Sequence, residues 1–162
     1  MKKEGVLPVY NSVDLYFDHG DGVYLYTEDG TRYLDFTSGI GVTCLGHSHP
    51  ALVSALREQA GKLWHCSNLF KIKGQEIVAK KIVDHSFASH VFFCNSGAEA
   101  VEAGIKAIRK YFYLNKKNKY KIICVNNAFH GRTLGTIAAA GQDKLLEGFE
   151  PRLDGFEHVE FN

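Results

Sequence analysis

One stretch of the sequence, residues 91–115, constrains the fold more than any other. It reads VFFCNSGAEAVEAGIKAIRKYFYLN. Its first four residues form an apolar run of the kind that parallel sheets bury on both faces, so we predict a strand over Val91–Cys94. Apolar residues then recur at spacings of three and four, which is typical of the core-facing stripe of a helix. That stripe consists of Ala98, Val101, Ile105, Ile108 and Phe112.

The turn between this predicted strand and helix is the first candidate site. Ser96 and Glu99 fit a capping box, and Glu102 and Lys106 are spaced for a favourable i,i+4 pair. Gly97 has no Cβ, so an anion could approach the free N–H groups and the positive end of the helix dipole, which suits a phosphate. A purely structural cap and turn remains the alternative on local sequence. The stretch matches neither the dinucleotide nor the NTP glycine motif.

The rest of the chain predicts an α/β fold. Downstream we predict a strand at 121–125, a loop at 126–133, a helix at 134–140 that ends at Gly141, and a strand at 157–161. Such alternation indicates a parallel sheet, and ligands gather beyond the carboxyl ends of its strands. We therefore expect the loops at 95–98 and 126–133 to open at the same edge.

The upstream part predicts a hairpin and two helices. The β-prone runs 22–27 and 31–36 are joined through Asp29-Gly30, which is a strong hairpin signal. A helix is predicted at 50–64, with a proline in its first turn, and a weaker helix at 75–85, with Val78, Ile82 and Val83 facing inward.

Composition narrows the class of partner. The chain has 162 residues, 45% of them hydrophobic, and a net charge of +1, which gives no indication of a nucleic-acid or membrane partner. Its first residues contain no apolar signal-peptide core, and no apolar run approaches the roughly 20 residues of a membrane span. The four cysteines are widely spaced and form no CxxC motif, which favours free thiols in a reducing cytosol. Cys44, His47 and His49 lack a second ligand pair, so we assign no metal site.

The loop at 126–133 is the second candidate site. Phe129 offers a flat aromatic face on which a ligand ring could stack, and Arg132 carries the planar fork that grips a carboxylate. Together with a phosphate site, these groups describe a flat, phosphorylated cofactor that reacts with an amino acid. A core Phe129 and a surface Arg132 stay open as alternatives.

Four segments together resemble the class III pyridoxal-phosphate aminotransferases. They are GVYLYTEDGTRYLDFTSGIGVTCLGHSHP, FFCNSGAEAVEAGIKAIRKY, NAFHGRTLGTIAAAGQDK and GFEPRLDGF. The resemblance implies a fold-type I transferase, with an N-terminal segment at 1–49 that contributes to the small domain and the first part of the large, mostly parallel sheet domain at 50–162. It also implies that Ser96, Gly97 and Ala98 bind the phosphate of pyridoxal 5'-phosphate, that Phe129 stacks on its ring, and that Arg132 holds the substrate α-carboxylate.

The same resemblance implies a substrate. It points to a cytoplasmic homodimer of arginine biosynthesis that passes an amino group from N-acetylornithine to 2-oxoglutarate. Ornithine-specific relatives tend to carry tyrosine where this chain has Ile40 and tryptophan where it has His130, so these residues favour an acylated substrate. The resemblance leaves open whether the acyl group of the substrate is acetyl or succinyl, and whether its amino acid is ornithine or diaminopimelate.

The resemblance also implies that groups needed for catalysis lie outside this sequence. The Schiff-base lysine and the acidic partner of the pyridine nitrogen are expected beyond Asn162. The strand from Val91 is not expected to neighbour the strand from Lys121, because the strands between them come later in the family. We therefore expect the 162 residues alone to expose apolar faces and to be inactive. The alternatives are another class III ω-aminotransferase and a non-catalytic binding module.

Overall fold

A computed structural model describes residues 5–162, which form two compact units, one extending to Lys71 and the other starting at Ile72. The domain bounds of 1–49 and 50–162 stay a prediction. Among the described residues, no helix combines the length and the apolar character needed to cross a membrane.

The first unit contains a three-stranded antiparallel sheet, β1(His19–Asp21), β2(Tyr24–Tyr26) and β3(Arg32–Leu34), in that order. The predicted hairpin is confirmed as β2 and β3, and Gly30 adopts the positive φ of 82° that its turn requires. The strand β1 was not predicted. A single turn α1(Ser38–Gly41), in which all four residues have positive φ and which is therefore not a regular right-handed helix, precedes α2(Pro50–Ala60). The proline lies in the first turn of α2 as expected.

The second unit contains four helices and two strands. They are α3(Lys73–Asp84), α4(Gly97–Leu114), β4(Ile122–Val125), α5(Leu134–Ala140), α6(Asp143–Leu146) and β5(Phe156–Val159). The strands β4 and β5 are parallel, with Ile122 opposite Phe156 and Val125 opposite Val159. The α/β fold with a parallel sheet is thus confirmed, and the predicted helix 134–140 is found with the same bounds, because Gly141 ends it in the left-handed conformation.

The core of the second unit lies where α5 packs against α4 and β4. Three alanines, Ala138, Ala139 and Ala140, are almost completely buried, together with Ile137 and Thr136. Their small side chains let the helix axis approach the sheet closely. This packing fixes α5, and α5 begins directly after the loop that contains the second candidate site.

Two predictions about buried apolar segments are wrong. Val91–Cys94 is not a strand, because a strand needs hydrogen bonds to a neighbour and no described residue pairs with this segment. Of the three residues expected to face inward on α3, Val83 is half-buried, but Val78 and Ile82 are 45% and 43% exposed because no described element covers them.

The unpaired state of Val91–Cys94 agrees with the expectation that it does not neighbour the strand from Lys121. The exposure of apolar faces was also expected. Phe92 and Ile123 are both 71% exposed, and an apolar cavity of about 620 Å³ opens between α4 and β4. Burying apolar surface on folding is worth about 25 cal/mol per Å², so these exposed faces contribute little to the stability of the described residues.

Candidate functional site

The N-terminus of α4 contains one half of the predicted capping box. Ser96 is the N-cap, and its Oγ accepts a hydrogen bond from the backbone N–H of Glu99 at 3.2 Å. The carboxylate of Glu99 turns back and accepts from the backbone N–H of Asn95 at 2.5 Å, one residue earlier than in a standard capping box. These bonds from Asn95 hold the pKa of Glu99 below its ordinary value, so Glu99 stays ionised and the first turn of the helix is firmly held.

Gly97 and Ala98 occupy the next two positions, where helix N–H groups have no intrahelical acceptor. Gly97 has an ordinary negative φ, and a Cβ placed on it would meet no atom within 4 Å. Neither backbone conformation nor crowding by the described chain therefore requires glycine here. The missing side chain leaves open space beside two free N–H groups, at the positive end of an 18-residue helix.

The loop of the second candidate site docks onto this same helix end. Gly131 is buried with a φ of 124°, and a Cβ placed on it would lie 2.7 Å from Ala98 Cβ and 2.9 Å from Thr136 Oγ1. Both distances are too short for a real side chain, so only glycine allows the contact. The two loops therefore meet, as expected, although 91–94 is not a strand and their opening at one sheet edge stays a prediction.

Phe129 and Arg132 project from the docked loop. Phe129 is 69% exposed, so it is not a core residue of the described chain, and the guanidinium carbon of Arg132 lies 5.7 Å from the centre of its ring. Arg132 is exposed and forms no ion pair with any residue from 5 to 162. The arrangement leaves an aromatic face and a cationic fork available to a ligand.

The sequence reasoning missed a polar contact behind this loop. Glu102 makes no ion pair with Lys106, contrary to the predicted i,i+4 pair. Its Oε1 accepts a hydrogen bond from Thr133 Oγ1, and Thr133 is the N-cap of α5 and the neighbour of Arg132. A Cβ placed on Gly135 would lie 2.6 Å from the same carboxylate oxygen. The only sequence signal was two glycines, Gly131 and Gly135, on either side of a capping threonine.

A hydrogen-bonded carboxylate also lies in the first unit. Asp35, with a side chain 4% exposed, accepts hydrogen bonds from Thr37 and Ser38 and lies 2.8 Å from His47 Nε2. The hydrogen bond from the Thr37 hydroxyl, and to a lesser extent the one with His47, holds the pKa of Asp35 well below its ordinary value. This network ties the hairpin to the segment before α2. Within the described residues, no cluster of His, Cys, Asp or Glu side chains could hold a metal ion.

The groups at the α4 N-terminus fit a phosphorylated aromatic cofactor. Two N–H groups that no described residue accepts from, an open glycine and a helix dipole suit a phosphate, and the exposed ring of Phe129 suits a flat heterocycle beside it. The roles of Ser96, Gly97, Ala98, Phe129 and Arg132 stay predictions. The structure places Gly97 and Ala98 on the helix end against which the loop of Phe129 and Arg132 docks.

Comparison with known proteins identifies the family. The sequence model described as aminotransferase class-III matches residues 8–162. Acetylornithine aminotransferase of Mesorhizobium japonicum is 51% identical over 163 residues, which is 100% of this chain and 41% of that protein. Acetylornithine aminotransferase 1 of Bradyrhizobium diazoefficiens is 54% identical over 95% of this chain and 38% of that protein. The chain belongs to the class III aminotransferase family, and it spans about two fifths of the length of these relatives.

A solved structure supports the same placement. Ornithine aminotransferase from Toxoplasma gondii matches with a TM-score of 0.90 and 27% identity, over 98% of this chain and 38% of that chain. In that protein, pyridoxal phosphate partially occupies the active site. The predicted fold, part of a fold-type I pyridoxal-phosphate-dependent transferase, is therefore confirmed.

Proposed function

We propose that this chain supplies the phosphate site and the carboxylate site of a pyridoxal-phosphate-dependent transaminase. The enzyme moves an amino group from N-acetylornithine to 2-oxoglutarate, and we place it in the cytoplasm as a homodimer that serves arginine biosynthesis. The observation that carries the proposal is the docking of Gly131 on Ala98, because it brings the loop of Arg132, which we assign to the carboxylate, to the helix end that we assign to the phosphate. The names of relatives at 51% and 54% identity support the substrate.

Each residue of the site has a separate role in binding the cofactor or the substrate. The N–H groups of Gly97 and Ala98 bind the phosphate, with the Ser96 hydroxyl beside them, and the α4 dipole adds to the attraction. Phe129 stacks on the cofactor ring, and Arg132 grips the α-carboxylate through two parallel hydrogen bonds. Pyridoxal phosphate, once bound, supplies the electron sink for amino-group transfer. The site keeps the substrate at a fixed distance from the phosphate, which lowers the entropic part of the barrier.

Two features bear on the choice of substrate. Ile40 is a β-branched residue at a φ of 60°, and its side chain is 95% exposed. Such strain is most often retained at ligand sites, and it supports a role for Ile40 in substrate choice. Ornithine is the second candidate substrate, favoured by the match to the Toxoplasma gondii enzyme at a TM-score of 0.90.

The test uses the full-length protein with 2-oxoglutarate as acceptor. We expect kcat/KM for N-acetylornithine to exceed that for ornithine, while N-succinylornithine measures the acyl preference. Arg132→Ala should lower kcat/KM for N-acetylornithine about 30-fold or more, since removing one partner of a charge pair that the bound substrate buries costs roughly 2–5 kcal/mol. Arg57→Ala, an exposed arginine of α2, is the matched control and should change little. Equal activity in the Arg132 and Arg57 variants would contradict the proposal.

Borohydride reduction tests the place of the Schiff-base lysine. After reduction of the pyridoxal-phosphate-loaded full-length protein, we expect a single pyridoxyl-lysine outside residues 1–162. Labelling of a lysine within these residues would contradict that placement.

A further inference from the structure

The side chain of Glu102 joins the two halves of the candidate site. It belongs to α4, whose N-terminus offers the free N–H groups, and its Oε1 accepts a hydrogen bond from Thr133 Oγ1. Thr133 follows Arg132 directly in the chain. A single carboxylate therefore connects the phosphate-binding helix to the residue next to the carboxylate-binding arginine.

The hydrogen atoms around Thr133 can be assigned without conflict. Its hydroxyl can donate once, and a carboxylate is a stronger acceptor than the hydroxyl of Thr136, so it donates to Glu102. Thr133 Oγ1 accepts from Thr136 N–H at 3.2 Å, and Thr133 N–H donates to Thr136 Oγ1 at 2.9 Å. The Thr136 hydroxyl then donates to the Thr133 carbonyl at 3.1 Å. Thr133 is thus held by α5 on one side and by Glu102 on the other.

Arg132 lies between two points that are fixed to α4. On one side Gly131 packs on Ala98, and on the other Thr133 bonds to Glu102. The first contact is apolar and has no directional preference, whereas the hydrogen bond sets direction and distance. Glu102 forms no hydrogen bond or ion pair with Arg132, so its carboxylate does not occupy the guanidinium in place of a substrate carboxylate.

We propose that Glu102 is a positioning residue for the substrate carboxylate, acting through Thr133 on Arg132. This inference rests on the proposed function. Glu102 sets the distance between the phosphate-binding helix end and the guanidinium, and that distance selects substrates in which the carboxylate is correctly placed relative to the amino group. Loss of the hydrogen bond lowers the preference for carboxylate substrates and leaves the cofactor in place.

The test compares two donors that differ only in the carboxylate. N-acetylornithine carries it, and N-acetylputrescine is the same molecule without it. In the full-length enzyme, with concentration normalised to bound pyridoxal phosphate, Glu102→Ala should lower the ratio of their kcat/KM values about tenfold, because small misplacements of a binding group cost large factors in rate. Glu102→Gln keeps an acceptor oxygen and should retain most of the ratio. Lys106→Ala, one turn along α4, is the matched control and should leave the ratio unchanged.

A binding measurement without turnover accompanies the kinetics. Calorimetric titration with glutarate measures carboxylate binding, and the Arg132→Ala variant gives the affinity that remains without the guanidinium. The dissociation constant for glutarate should rise in Glu102→Ala and much less in Glu102→Gln.

Each outcome decides the inference. If Glu102→Ala lowers kcat/KM equally for both donors, the ratio is unchanged and the inference is overturned, because a purely structural role has that effect. If Glu102→Gln lowers the ratio as much as Glu102→Ala does, the hydrogen bond is not the means by which Glu102 acts, and the inference is overturned. Where Glu102→Ala does not fold, Thr133→Val against Thr133→Ser decides, since only the serine variant keeps the hydroxyl and should keep the ratio.

Failure of the proposed function has a different signature. A wild-type enzyme that transaminates neither donor contradicts the proposed function. The glutarate titration then decides the inference separately, and an unchanged dissociation constant in Glu102→Ala overturns it.

Discussion

Replacement of Gly131 by alanine tests the docking of the two loops most sharply. A Cβ on residue 131 would lie 2.7 Å from Ala98 Cβ, 3.1 Å from Ala98 Cα and 2.9 Å from Thr136 Oγ1. Two of these atoms belong to the first turn of α4 and one to a side chain that is completely buried. The two Ala98 atoms cannot rotate away, and Thr136 Oγ1 is held by its hydrogen bonds with Thr133, so the loop itself has to move.

The size of the movement follows from contact distances. Carbon atoms in contact lie about 3.5–4.0 Å apart, so the loop must withdraw by about 1 Å. Overpacking of this kind typically costs 1–3 kcal/mol, and the positive φ of 124° adds roughly 1–2 kcal/mol for a residue with a side chain. A displacement of about 1 Å at a positioning group lowers rates by up to about 100-fold. We expect Gly131→Ala to lower kcat/KM for N-acetylornithine by between tenfold and 100-fold in the full-length enzyme.

The assay separates crowding from backbone strain. Gly148→Ala also introduces a side chain at a positive φ, 81°, but its Cβ would meet nothing within 4 Å, so it carries the strain without the contact. Adding Ala98→Gly to Gly131→Ala removes the closest atom and should restore part of kcat/KM. Equal kcat/KM in the Gly131 and Gly148 variants, or no recovery in the double variant, would refute the docking argument.

Two further predictions concern Ser96 at the N-terminus of α4 and Asp35 in the first unit. Ser96→Ala removes the hydroxyl that accepts from Glu99 N–H, so the full-length protein should lose about 1 kcal/mol of unfolding free energy and bind pyridoxal phosphate more weakly. Ser96→Thr keeps a hydroxyl and should lose less stability and less affinity for pyridoxal phosphate. Unchanged pyridoxal-phosphate binding in Ser96→Ala would contradict the phosphate role. Asp35 has a lowered pKa, so its stabilising contribution is complete above its ordinary value of 3.8 and is lost as the pH falls through the lowered folded-state pKa. The difference in unfolding free energy between the wild type and Asp35→Asn should therefore be constant above about pH 5 and shrink below about pH 4. Asp14→Asn, at an exposed position, is the control and should show a much smaller difference from the wild type. A difference for Asp35→Asn that stays constant down to about pH 2 would refute this account.

Local chemistry explains which elements could be predicted from the sequence. The helix start at Ser96, the hairpin turn at Gly30 and the helix end at Gly141 each depend on residues next to one another in the chain. A capping hydroxyl or a glycine at positive φ acts within one turn, so its effect can be recognised without knowledge of the fold.

The remaining features depend on residues far apart in the sequence. Val91–Cys94 has the composition of a buried strand, but a strand exists only with a neighbour, and the described residues provide none. The Glu102–Lys106 pair was predicted from spacing, but such exposed pairs contribute only about 0.2–0.5 kcal/mol. A hydrogen bond to a charged group contributes roughly 1.5–3 kcal/mol, so the bond from Thr133 outweighs it once the fold brings that residue near.

The same distinction applies to the candidate site. Its residue types could be read from the sequence, because a glycine before a helix and an arginine after a phenylalanine each have recognisable chemistry. Their mutual placement could not, since it depends on Gly131 meeting Ala98 across 33 positions of the chain.

A crystal structure of the full-length protein with pyridoxal phosphate and glutarate tests the central claim most directly. The account predicts the phosphate within hydrogen-bond distance of the N–H groups of Gly97 and Ala98, the pyridine ring stacked on Phe129, and a glutarate carboxylate on Arg132. A phosphate bound away from the α4 N-terminus, or a glutarate bound without Arg132, would contradict it.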